Sequence, residues 1–383
     1  MTGHNIYVRL MLVTKLSELE EIHMRKLASV QKISDIRPIE GADRIELAQV
    51  VGWQCVINKG QFQKGDLAVY FEIDSFLPVK SQYEFLRGNS FRKNELLGEG
   101  FRLRTMKFRG QISQGLLMPL SQLPELKNIT DSIAAGTITE DSLIGKDVTE
   151  LLGVVEWEVP EKVTGSGTTI GDRPSFIPKS DETRIQSLGN DFIKEFHGLE
   201  YYISSKMDGS SHSIGIGADG AFHVTGHNYE YKDDGKSDFY ELVKKRGLEE
   251  KLRKYKDARG IKEISISGEF CGPGIQSNRI GLKGPEWYIF TVKADGQRYG
   301  LREMQEIAET LDNPTVPIEE VDMDFDEKYP TVEAVLARAD GNYETGRRKE
   351  GIVIRPTEPV HSDVLSGPLS MKAVSNKYLL KAD

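Results

Sequence analysis

Short apolar runs, each ended by a turn signal, fill the chain from about residue 24 to residue 80. The runs at 45–51, 54–57 and 68–73 are separated by the turn-forming stretches EGAD, NKG and KGD. A spacing of about ten residues between turns is typical of a small β-barrel or sandwich. We therefore predict strands at these three runs.

A second β-rich stretch, GFRLRTMKFRGQISQGLLMPL at 100–120, closes the same unit. Five or so short strands is the size of an OB-fold, a partly open barrel that commonly binds oligonucleotides. We place this OB-like domain at 24–158. Residues 1–23 lie outside its pattern and are interpreted as an N-terminal extension.

The pattern changes after residue 159. The stretch 160–183 is rich in Gly, Pro, Ser and Thr, which indicates a linker over 159–183 that packs against the second domain. Residues 180–196 and 236–258 then show helical spacing, the latter as one amphipathic helix with Phe239, Leu242, Val243 and Leu248 on its apolar face. Strand-like runs at 263–272, 286–295 and 350–356 are mixed with these helices. The fold class is therefore α+β, with the second domain at 184–383 made of antiparallel sheets and flanking helices.

Composition narrows the class of protein. The chain of 383 residues is 38% apolar, and none of its apolar runs approaches the roughly 18 residues of a membrane span. Its two cysteines, Cys55 and Cys271, are too few for a disulfide framework and suit a reducing cytoplasm, where we expect the protein as a monomer. The net charge of −9 argues against indiscriminate coating of nucleic acid, but a local basic groove is compatible with it.

One lysine raises the question of chemistry. In YYISSKMDGSSHSIGI, Lys206 follows a strand-like run at 201–203, precedes another at 213–216, and opens the pattern Lys-x-Asp-Gly with Asp208 and Gly209. Asp-Gly is a common hairpin signal, and a lysine beside it is often ordinary surface. The alternative is a nucleophile, whose amine attacks phosphorus or carbonyl carbon when burial and neighbouring cations lower its pKa.

Four more residues, which come later in the chain, would complete a phosphoryl-transfer site. Glu269 emerges from an apolar strand, Phe290 lies in another, Glu350 opens EGIVIRP, and Lys372 lies in a strand near the end. Each also has an ordinary structural interpretation. Glu269 could cap a turn, and Phe290 could be a core aromatic. Glu350 could form a surface ion pair beside Arg347 and Arg348, and Lys372 could extend from a strand edge into solvent. Their joint presence in this order favours catalysis.

This order of motifs resembles the covalent nucleotidyltransferase superfamily, which comprises ATP-dependent DNA and RNA ligases and the mRNA capping guanylyltransferases. The OB-like unit precedes the lysine instead of following the last motif. That placement, with TRIQSL, GEFCGPGIQ and NKYLL, resembles the RNA ligases that carry an N-terminal OB domain, the Deinococcus and Naegleria type. The resemblance covers roughly residues 24–383.

The resemblance implies a role for each motif residue. Lys206 would attack the α-phosphorus of ATP and become lysyl-AMP. Asp208 and Glu350 would hold Mg²⁺ or Mn²⁺, through its water shell. Lys372 would contact the α-phosphate and stabilise its developing charge.

The same resemblance implies a nucleotide-binding set. Glu269 would bind the ribose or adenosine, and Phe290 would stack on adenine. Arg184, upstream of the lysine, matches the family's arginine on the nucleotide, and Gly209 completes the set.

Two positions depart from the family pattern. In TGHNYEY, His227 stands where the family often has an arginine, so phosphate binding there would be weaker or pH-dependent. Val374 stands where many ligases have a second lysine, two residues after Lys372. We include Lys377 among the nucleotide-binding residues as its replacement.

The implied substrate is a nick in an RNA or RNA/DNA duplex with RNA on the 3′-OH side, joined through lysyl-AMP and an adenylylated 5′-phosphate. Arg102, Arg104, Lys107 and Arg109 would contact the nucleic acid, with Arg102 and Arg104 on one face of a strand. An ordinary charged barrel face is the alternative. The alternative functions are an inactive nucleotidyltransferase that binds nucleic acid, and another lysine nucleotidyltransferase, either a DNA ligase or a guanylyltransferase.

Overall fold

A computed structural model describes residues 25–157, 166–179 and 181–380. The predicted extension at 1–23 lies outside these residues. The first half of the described chain consists mainly of short strands. They are β1 Ala28–Pro38, β2 Ile45–Val50, β3 Trp53–Asn58, β4 Leu67–Phe71, β5 Ser75–Pro78, β6 Phe91–Asn94, β7 Gly98–Arg102, β8 Thr105–Phe108, β9 Gln111–Gln114, β10 Leu116–Met118 and β11 Val155–Glu156, with the helices α1 Arg87–Ser90, α2 Lys127–Ala134 and α3 Thr149–Leu152.

These strands form two antiparallel sheets. One has the order β10-β4-β1-β2-β3 and the other β11-β5-β7-β6, while β8 and β9 pair as a separate hairpin. Alternation explains the burial of β3, where Trp53, Cys55 and Ile57 are buried and their neighbours are not. The three predicted strands are confirmed, with ends shifted by one or two residues, and β10 joins the first sheet as expected for the run at 100–120.

The prediction that Arg102 and Arg104 alternate along one strand is wrong. Strand β7 ends at Arg102, and β8 begins at Thr105. Arg104 therefore lies in the connection between two strands that belong to different sheets. Lys107 lies on β8, and Arg109 lies at the tip of the β8–β9 hairpin with a left-handed φ of 46°.

The second half mixes strands and helices and confirms the α+β class. Its strands are β12 Thr169–Asp172, β13 Glu200–Lys206, β14 Ser210–Ile216, β15 Phe222–Thr225, β16 Tyr229–Tyr231, β17 Ile264–Cys271, β18 Glu286–Ala294, β19 Gln297–Arg298, β20 Ile318–Met323, β21 Gly351–Pro356, β22 His361–Ser362, β23 Gly367–Pro368 and β24 Met371–Val374. Its helices are α4 Ile185–Leu188, α5 Asn190–Ile193, α6 Asp238–Lys245, α7 Leu248–Arg259, α8 Leu301–Leu311, α9 Phe325–Lys328, α10 Val332–Ala339 and α11 Asn376–Leu379.

Two sheets of this half enclose a cleft. The seven-stranded sheet has the order β12-β16-β15-β14-β17-β18-β19, and the four-stranded sheet has the order β20-β13-β21-β24. Each sheet buries its outer face in its own apolar core, the first with residues of α6, α7 and α8 and the second with residues of α4, α5, α9 and α10. The inner faces are left for polar side chains. Among the described residues, no helix has both the length and the apolar character needed to span a membrane.

Two predictions about local structure are corrected. Part of the predicted linker, Thr169–Asp172, is an edge strand that pairs with β16, so the linker region contributes to the seven-stranded sheet. The predicted single helix at 236–258 is two helices, because Gly247 adopts a left-handed φ of 61° between α6 and α7. The apolar face itself is confirmed, since Phe239, Leu242, Val243 and Leu248 are all buried.

The two halves are packed against each other at α4. A Cβ atom on Gly52 would lie 2.8 Å from Cα of Gln186, so a glycine is needed at this approach. The Trp53 indole donates a hydrogen bond to Ser187 at 3.3 Å. Just before α4, Arg184 donates to Asp74 at 3.1 Å. The OB-like half therefore supports the segment that leads into the cleft.

Candidate active site

Lys206 lies where the chain crosses from one sheet to the other. It is the last residue of β13, which pairs with β20 and β21, whereas β14 pairs with β15 and β17. The residues between β13 and β14 are therefore a crossover between sheets, and the hairpin alternative is excluded. This position puts the ammonium of Lys206 at the cleft.

Gly209 is required by the closeness of β17. A Cβ atom there would lie 2.6 Å from Sγ of Cys271, 2.6 Å from the carbonyl oxygen of Phe270 and 2.8 Å from Cγ of Glu269. Real Cβ atoms do not approach other atoms so closely, so any other residue would push the crossover away from β17. The glycine of the Lys-x-Asp-Gly pattern thus brings Glu269 to the lysine.

The ammonium of Lys206 is paired with Glu350, with 2.8 Å between Nζ and Oε1. The hydroxyl of Tyr343 forms hydrogen bonds with the backbone of both residues. It donates to the carbonyl of Lys206 at 2.8 Å and accepts from the amide of Glu350 at 3.3 Å. Sequence reasoning missed Tyr343, since a tyrosine in a loop carries no distinguishing signal.

The expectation of a lowered pKa for Lys206 is wrong for the protein without ligands. Burial by itself would lower the pKa of the ammonium, but the carboxylates of Glu350 and Glu269 outweigh burial and raise the pKa above its ordinary value. The lysine is therefore held protonated at neutral pH. Its activation needs a change in the charge around Glu350.

Asp208 is buried beside this pair and is held from two directions. The hydroxyl of Tyr378, on α11, donates to Oδ1 at 3.0 Å, and Nε of Arg279 lies 3.5 Å from Oδ2. The guanidinium of Arg279 also lies over the ring of Tyr378, 4.7 Å from its centroid. Burial and the nearby Glu350 raise the pKa of Asp208. Tyr378 belongs to the stretch NKYLL, but residue spacing alone gave no indication of its contact with Asp208.

Glu269 faces the lysine from the opposite sheet. Burial raises the pKa of its carboxyl to about 8, against the attraction of Lys206. Glu350, Asp181 and Asp208 add to this effect by their negative charge. At neutral pH, folding therefore keeps a proton on Glu269 that the unfolded chain would lose.

This shift predicts a pH-dependent stability difference for Glu269→Gln. The ordinary pKa of 4.5 rises to about 8 on folding, so ionisation of the unfolded chain destabilises the wild-type fold progressively as pH rises between these values. Glutamine has no such proton to lose. We expect Glu269→Gln to be more stable by on the order of 4 kcal/mol at pH 8, with no gain at pH 4. Thermal unfolding at both pH values checks this, and an equal difference at both would contradict it.

A cavity of about 130 Å³ opens beside Lys206 between the two sheets. Phe290 from β18 and Val353 from β21 line it on opposite sides, with Glu269 and Lys372 also in its wall. In β18 the register pairs Thr291 with Ser267 and Ile289 with Gly268, so Phe290 is the extra residue of a bulge. Bulges re-aim side chains next to active sites. Phe290 is accordingly half-buried in the cavity wall, where it also packs against the small apolar cluster of Met207, Cys271 and Val316.

Arg355, two residues after Val353 on β21, holds Phe290 in this wall. Its guanidinium donates to the carbonyl oxygen of Phe290 and is paired with Glu182. Arg298 approaches the same carboxylate at 3.5 Å. The EGIVIRP motif contains Arg355, but its role in the wall was not predicted, because its buried partners come from segments far away in the sequence.

Lys372 lines this cavity, and Arg184, its neighbour across a backbone bridge, lines an adjoining cavity that Lys372 also borders. The amide of Lys372 donates to the carbonyl of Thr183 at 2.9 Å, which holds the segment before α4 against β24. Burial lowers the pKa of Lys372. Nε and Nη1 of Arg184 are buried and have no hydrogen-bond partner among the described residues. A buried guanidinium with unused donors fits an anionic ligand.

The structure places the residues at the two positions that depart from the family pattern, His227 and Val374, and the proposed replacement, Lys377. Nε2 of His227 lies 3.6 Å from Asp181, and Asp181 lies 4.0 Å from Nζ of Lys372, so His227 is near the mouth of the cavity. Lys377 pairs with Asp340 at 2.8 Å and is absent from the residues that line the cavity. The structure therefore does not bring Lys377 to the cavity, and its assignment to nucleotide binding stays a prediction. Val374 is buried and leaves Lys372 as the lysine of β24 that faces the cleft.

The carboxylates of Asp208 and Glu350 fit a divalent cation held through water. Asp208 lies beside the Lys206–Glu350 pair, and burial together with the charge of Glu350 raises the pKa of Asp208, so an added cation would relieve the repulsion between the two carboxylates. Among the described residues, no three His, Cys, Asp or Glu side chains are arranged to hold one metal directly. Water-mediated contact, which Mg²⁺ prefers, is compatible with this set.

Comparison with known proteins agrees with this fold. An OB-fold domain model matches residues 27–120, and an RNA ligase model matches residues 199–374. No curated protein sequence matches the chain. A solved structure of Naegleria gruberi RNA ligase, a lysine-to-alanine mutant with ATP and Mn, is 33% identical with a TM-score of 0.79, covering 93% of this chain and 99% of its own. The same ligase with PPi is 33% identical with a TM-score of 0.78, covering 94% of this chain and 99% of its own.

These matches span both halves of the chain. The OB-fold match lies in the strands before residue 121, and the RNA ligase match contains Lys206, Glu269, Phe290, Glu350 and Lys372. A relative that is 33% identical and matched over 99% of its length establishes the kinship. The chain belongs to the RNA ligase family.

Proposed function

We propose that this protein is an ATP-dependent RNA ligase that joins 3′-OH and 5′-phosphate ends at nicks in duplexes with RNA on the 3′-OH side. The observation that carries the proposal is the pairing of Lys206 with Glu350 beside a cavity walled by Phe290 and Val353. An amine, a flat slot for a base and a carboxylate that controls the amine are the parts of nucleotidyl transfer to lysine.

In the first step Nζ of Lys206 loses a proton and attacks the α-phosphorus of ATP. A P–N bond forms, the bond to the bridging oxygen breaks, and pyrophosphate leaves. A divalent cation held through water by Asp208 and Glu350 would supply positive charge that favours the neutral amine and the negative phosphate. Lys372 in the cavity wall, with Arg184 in the adjoining cavity, would supply positive charge to the phosphates.

Two later steps complete the reaction on RNA. The 5′-phosphate attacks the phosphorus of lysyl-AMP, which releases Lys206 and leaves AMP on the RNA end through a new P–O–P linkage. The 3′-OH then attacks the 5′-phosphorus, forms the phosphodiester and expels AMP. Lys206 is regenerated with the Glu350 pair restored, so the protein is ready for another ATP.

The base slot predicts a selective effect of Phe290→Ala. Loss of base stacking is worth about 1–3 kcal/mol, so the ATP concentration needed for half-maximal labelling should rise about 5- to 150-fold. Labelling at saturating ATP should be affected less. A titration of covalent labelling against ATP checks this, with Phe85→Ala as the control, since Phe85 is 65% exposed in the other half. An unchanged ATP requirement would return Phe290 to a purely structural role.

The β8–β9 hairpin is the part of the predicted basic group that remains available to nucleic acid. Arg102 is engaged, because it lies 3.5 Å from Asp74 and 5.0 Å from the ring centroid of Trp157. Lys107 and Arg109 are exposed at the hairpin. We propose that these two side chains contact phosphates, and that Arg102 supports the fold around them.

Neutralising the hairpin should weaken RNA binding in a salt-dependent way. Each phosphate contact adds about one to the slope of log affinity against log salt, so Lys107→Ala with Arg109→Ala should lower this slope by about two. Fluorescence anisotropy of a labelled nicked duplex at several salt concentrations measures the slope. Lys245→Ala with Lys262→Ala removes the same charge from exposed sites in the other half. Equal slopes for the two double variants would rule out the hairpin as a phosphate contact.

The proposed function is tested by sealing of defined nicks. We expect ATP and Mn²⁺ or Mg²⁺ to support sealing of a nick with RNA on the 3′-OH side, and much less sealing when that side is DNA. A DNA ligase would seal both, and a guanylyltransferase would label from GTP and seal neither. A binding module without activity would bind the duplex and transfer no nucleotide.

A further inference from the structure

Glu319 is a half-buried carboxylate of the four-stranded sheet. It lies on β20, where the register pairs Glu320 with Ile203 and Ile318 with Ser204, so Glu319 is the extra residue of a bulge. A bulge re-aims a side chain away from the regular alternation of its strand. The side chain of Glu319 therefore reaches partners that its neighbours on β20 do not.

The carboxylate of Glu319 binds two residues that each come directly before a reacting group. The hydroxyl of Ser205, next to Lys206 in the chain, donates to it. The ammonium of Lys349, next to Glu350, lies 2.7 Å from both carboxylate oxygens. One side chain on β20 is therefore bonded to the chain neighbours of both the nucleophile and its counter-ion.

These bonds depend on the negative charge of Glu319. Burial by itself would raise the pKa of its carboxyl, but hydrogen bonds donated by Lys349, Ser205 and Arg338 outweigh burial and lower the pKa. Arg338, on α10, contributes its bond at 2.8 Å. Lys349 is only 5% exposed, so loss of the carboxylate would leave a buried ammonium without its bidentate partner. Lys349 would then have to move, and Glu350 would move with it.

Resting on the proposed function, we propose that Glu319 is a positioning residue for lysine adenylylation, which holds Lys206 and Glu350 at their working separation. Backbone pairing places Lys206 opposite Gly351, the first residue of β21. Glu350 comes just before this strand, where the pair of Glu319 with Lys349 adds a side-chain anchor. Glu319 is not among the residues that line the cavity of Lys206, so it would act through its neighbours and not on ATP.

The test compares Glu319→Gln with Glu320→Gln as the matched control. The two side chains are 19% and 16% exposed, and both bind Arg338. The other partners of Glu320 are Tyr201, Tyr329 and Lys328, and none of them adjoins Lys206 or Glu350 in the chain. Each substitution removes one negative charge from β20 and several hydrogen bonds, so a loss of stability is expected in both.

Glu319→Gln should also change catalysis and the titration of Lys206, which a loss of stability alone would leave unmoved. Labelling at saturating ATP should be about 10- to 100-fold slower, because the reacting groups are misplaced, while the ATP concentration for half-maximal labelling stays within about two-fold. The midpoint of the pH profile for acylation of Lys206 without ATP should fall by about one pH unit, because Glu350 pairs less closely with the ammonium.

The Glu350→Gln background separates an effect of position from an effect of charge. The carboxylates with the largest influence on the pKa of Lys206 are those of Glu350, Glu269 and Asp181. If Glu319 acts through the Lys206–Glu350 pair, Glu319→Gln should add no further shift of the acylation profile in Glu350→Gln. Ser205→Ala removes one of the bonds without changing charge, and should shift the profile in the same direction but less, which provides a test if Glu319→Gln does not fold.

Each outcome supports or overturns the proposal. A lowered midpoint and slower labelling in Glu319→Gln, with Glu320→Gln at the wild-type values, support it. Unmoved profiles in Glu319→Gln and Ser205→Ala overturn it, and so does a full additional shift in the Glu350→Gln background, which would assign the effect to the charge of Glu319. Failure of the wild-type protein to become labelled would instead refute the proposed function, whereas the acylation profile, measured without ATP, still decides the role of Glu319.

Discussion

Lys206→Ala should abolish covalent transfer of AMP from ATP to the protein. Lys206 is the amine at the crossover between the sheets, next to the slot of Phe290 and Val353. The other lysine of this cavity, Lys372, lies on β24 and is held by its backbone bond to Thr183. With α-labelled ATP and Mn²⁺, we expect label on the wild-type protein after a denaturing gel and at least about 1,000-fold less on the variant.

Two controls make the result specific. Lys262→Ala removes an exposed lysine outside the cleft and should label as the wild-type protein does. Circular dichroism and the unfolding temperature should show that Lys206→Ala is folded, since the substitution removes one ion pair with Glu350 and leaves the backbone bond from Tyr343 in place. Label on a folded Lys206→Ala protein would move the nucleophile to another residue.

Glu350→Gln should have opposite effects on catalysis and on the reactivity of the free amine. The wild-type carboxylate raises the pKa of Lys206 through the pair at 2.8 Å. Glutamine keeps the shape and removes the charge, so the pKa of Lys206 should fall and its amine should become reactive at a lower pH. AMP transfer should nevertheless drop by about 100-fold or more, because an electrostatic partner of the reacting groups is lost.

The two effects are measured separately. Acylation of Lys206 by a small amine-reactive reagent, followed by peptide mass spectrometry, reports the pKa without ATP or metal when it is repeated from about pH 6 to about pH 10, around the ordinary lysine value. Labelling by ATP at about pH 7.5, near neutrality, reports catalysis. A pH profile that does not move in Glu350→Gln would show that another group holds the proton on Lys206.

The sequence predicted the parts of the fold that depend on local alternation. Strands β2, β3 and β4 and the strands that carry Glu269, Phe290 and Lys372 all have apolar runs bounded by turns. The edge strand β12 was not predicted, because Thr169, Gly171 and Asp172 are small or polar and all four of its residues are exposed. Its pairing with β16 stabilises it. The break between α6 and α7 had a signal in Gly247, which the amphipathic pattern on both sides concealed.

The active site was also predicted only in part. The pattern Lys-x-Asp-Gly and the strand positions of Glu269 and Glu350 identified the reacting groups, but not how they are held. Tyr343 contacts Lys206 and Tyr378 contacts Asp208, each from a segment far along the chain. Such contacts follow from the packing of the sheets, which residue spacing does not specify.

Charge is also a property of the assembled site. Sequence reasoning expected cations to lower the pKa of Lys206, whereas the folded chain brings Glu350 and Glu269 to it and raises the pKa. Arg184 was expected on the nucleotide, and the structure adds its pairing with Asp74 of the other half. The OB-like half therefore contributes to the cleft as well as carrying the basic hairpin.

Peptide-resolved mass spectrometry of the wild-type protein after incubation with ATP and Mn²⁺ tests the proposed chemistry most directly. We expect one adenylate, attached through an acid-labile P–N bond to the peptide that contains Lys206, and its removal when pyrophosphate is added. An adenylate on a different residue, or protein that consumes ATP and seals RNA while Lys206 stays unmodified, would contradict lysyl-AMP formation at the crossover between the two sheets.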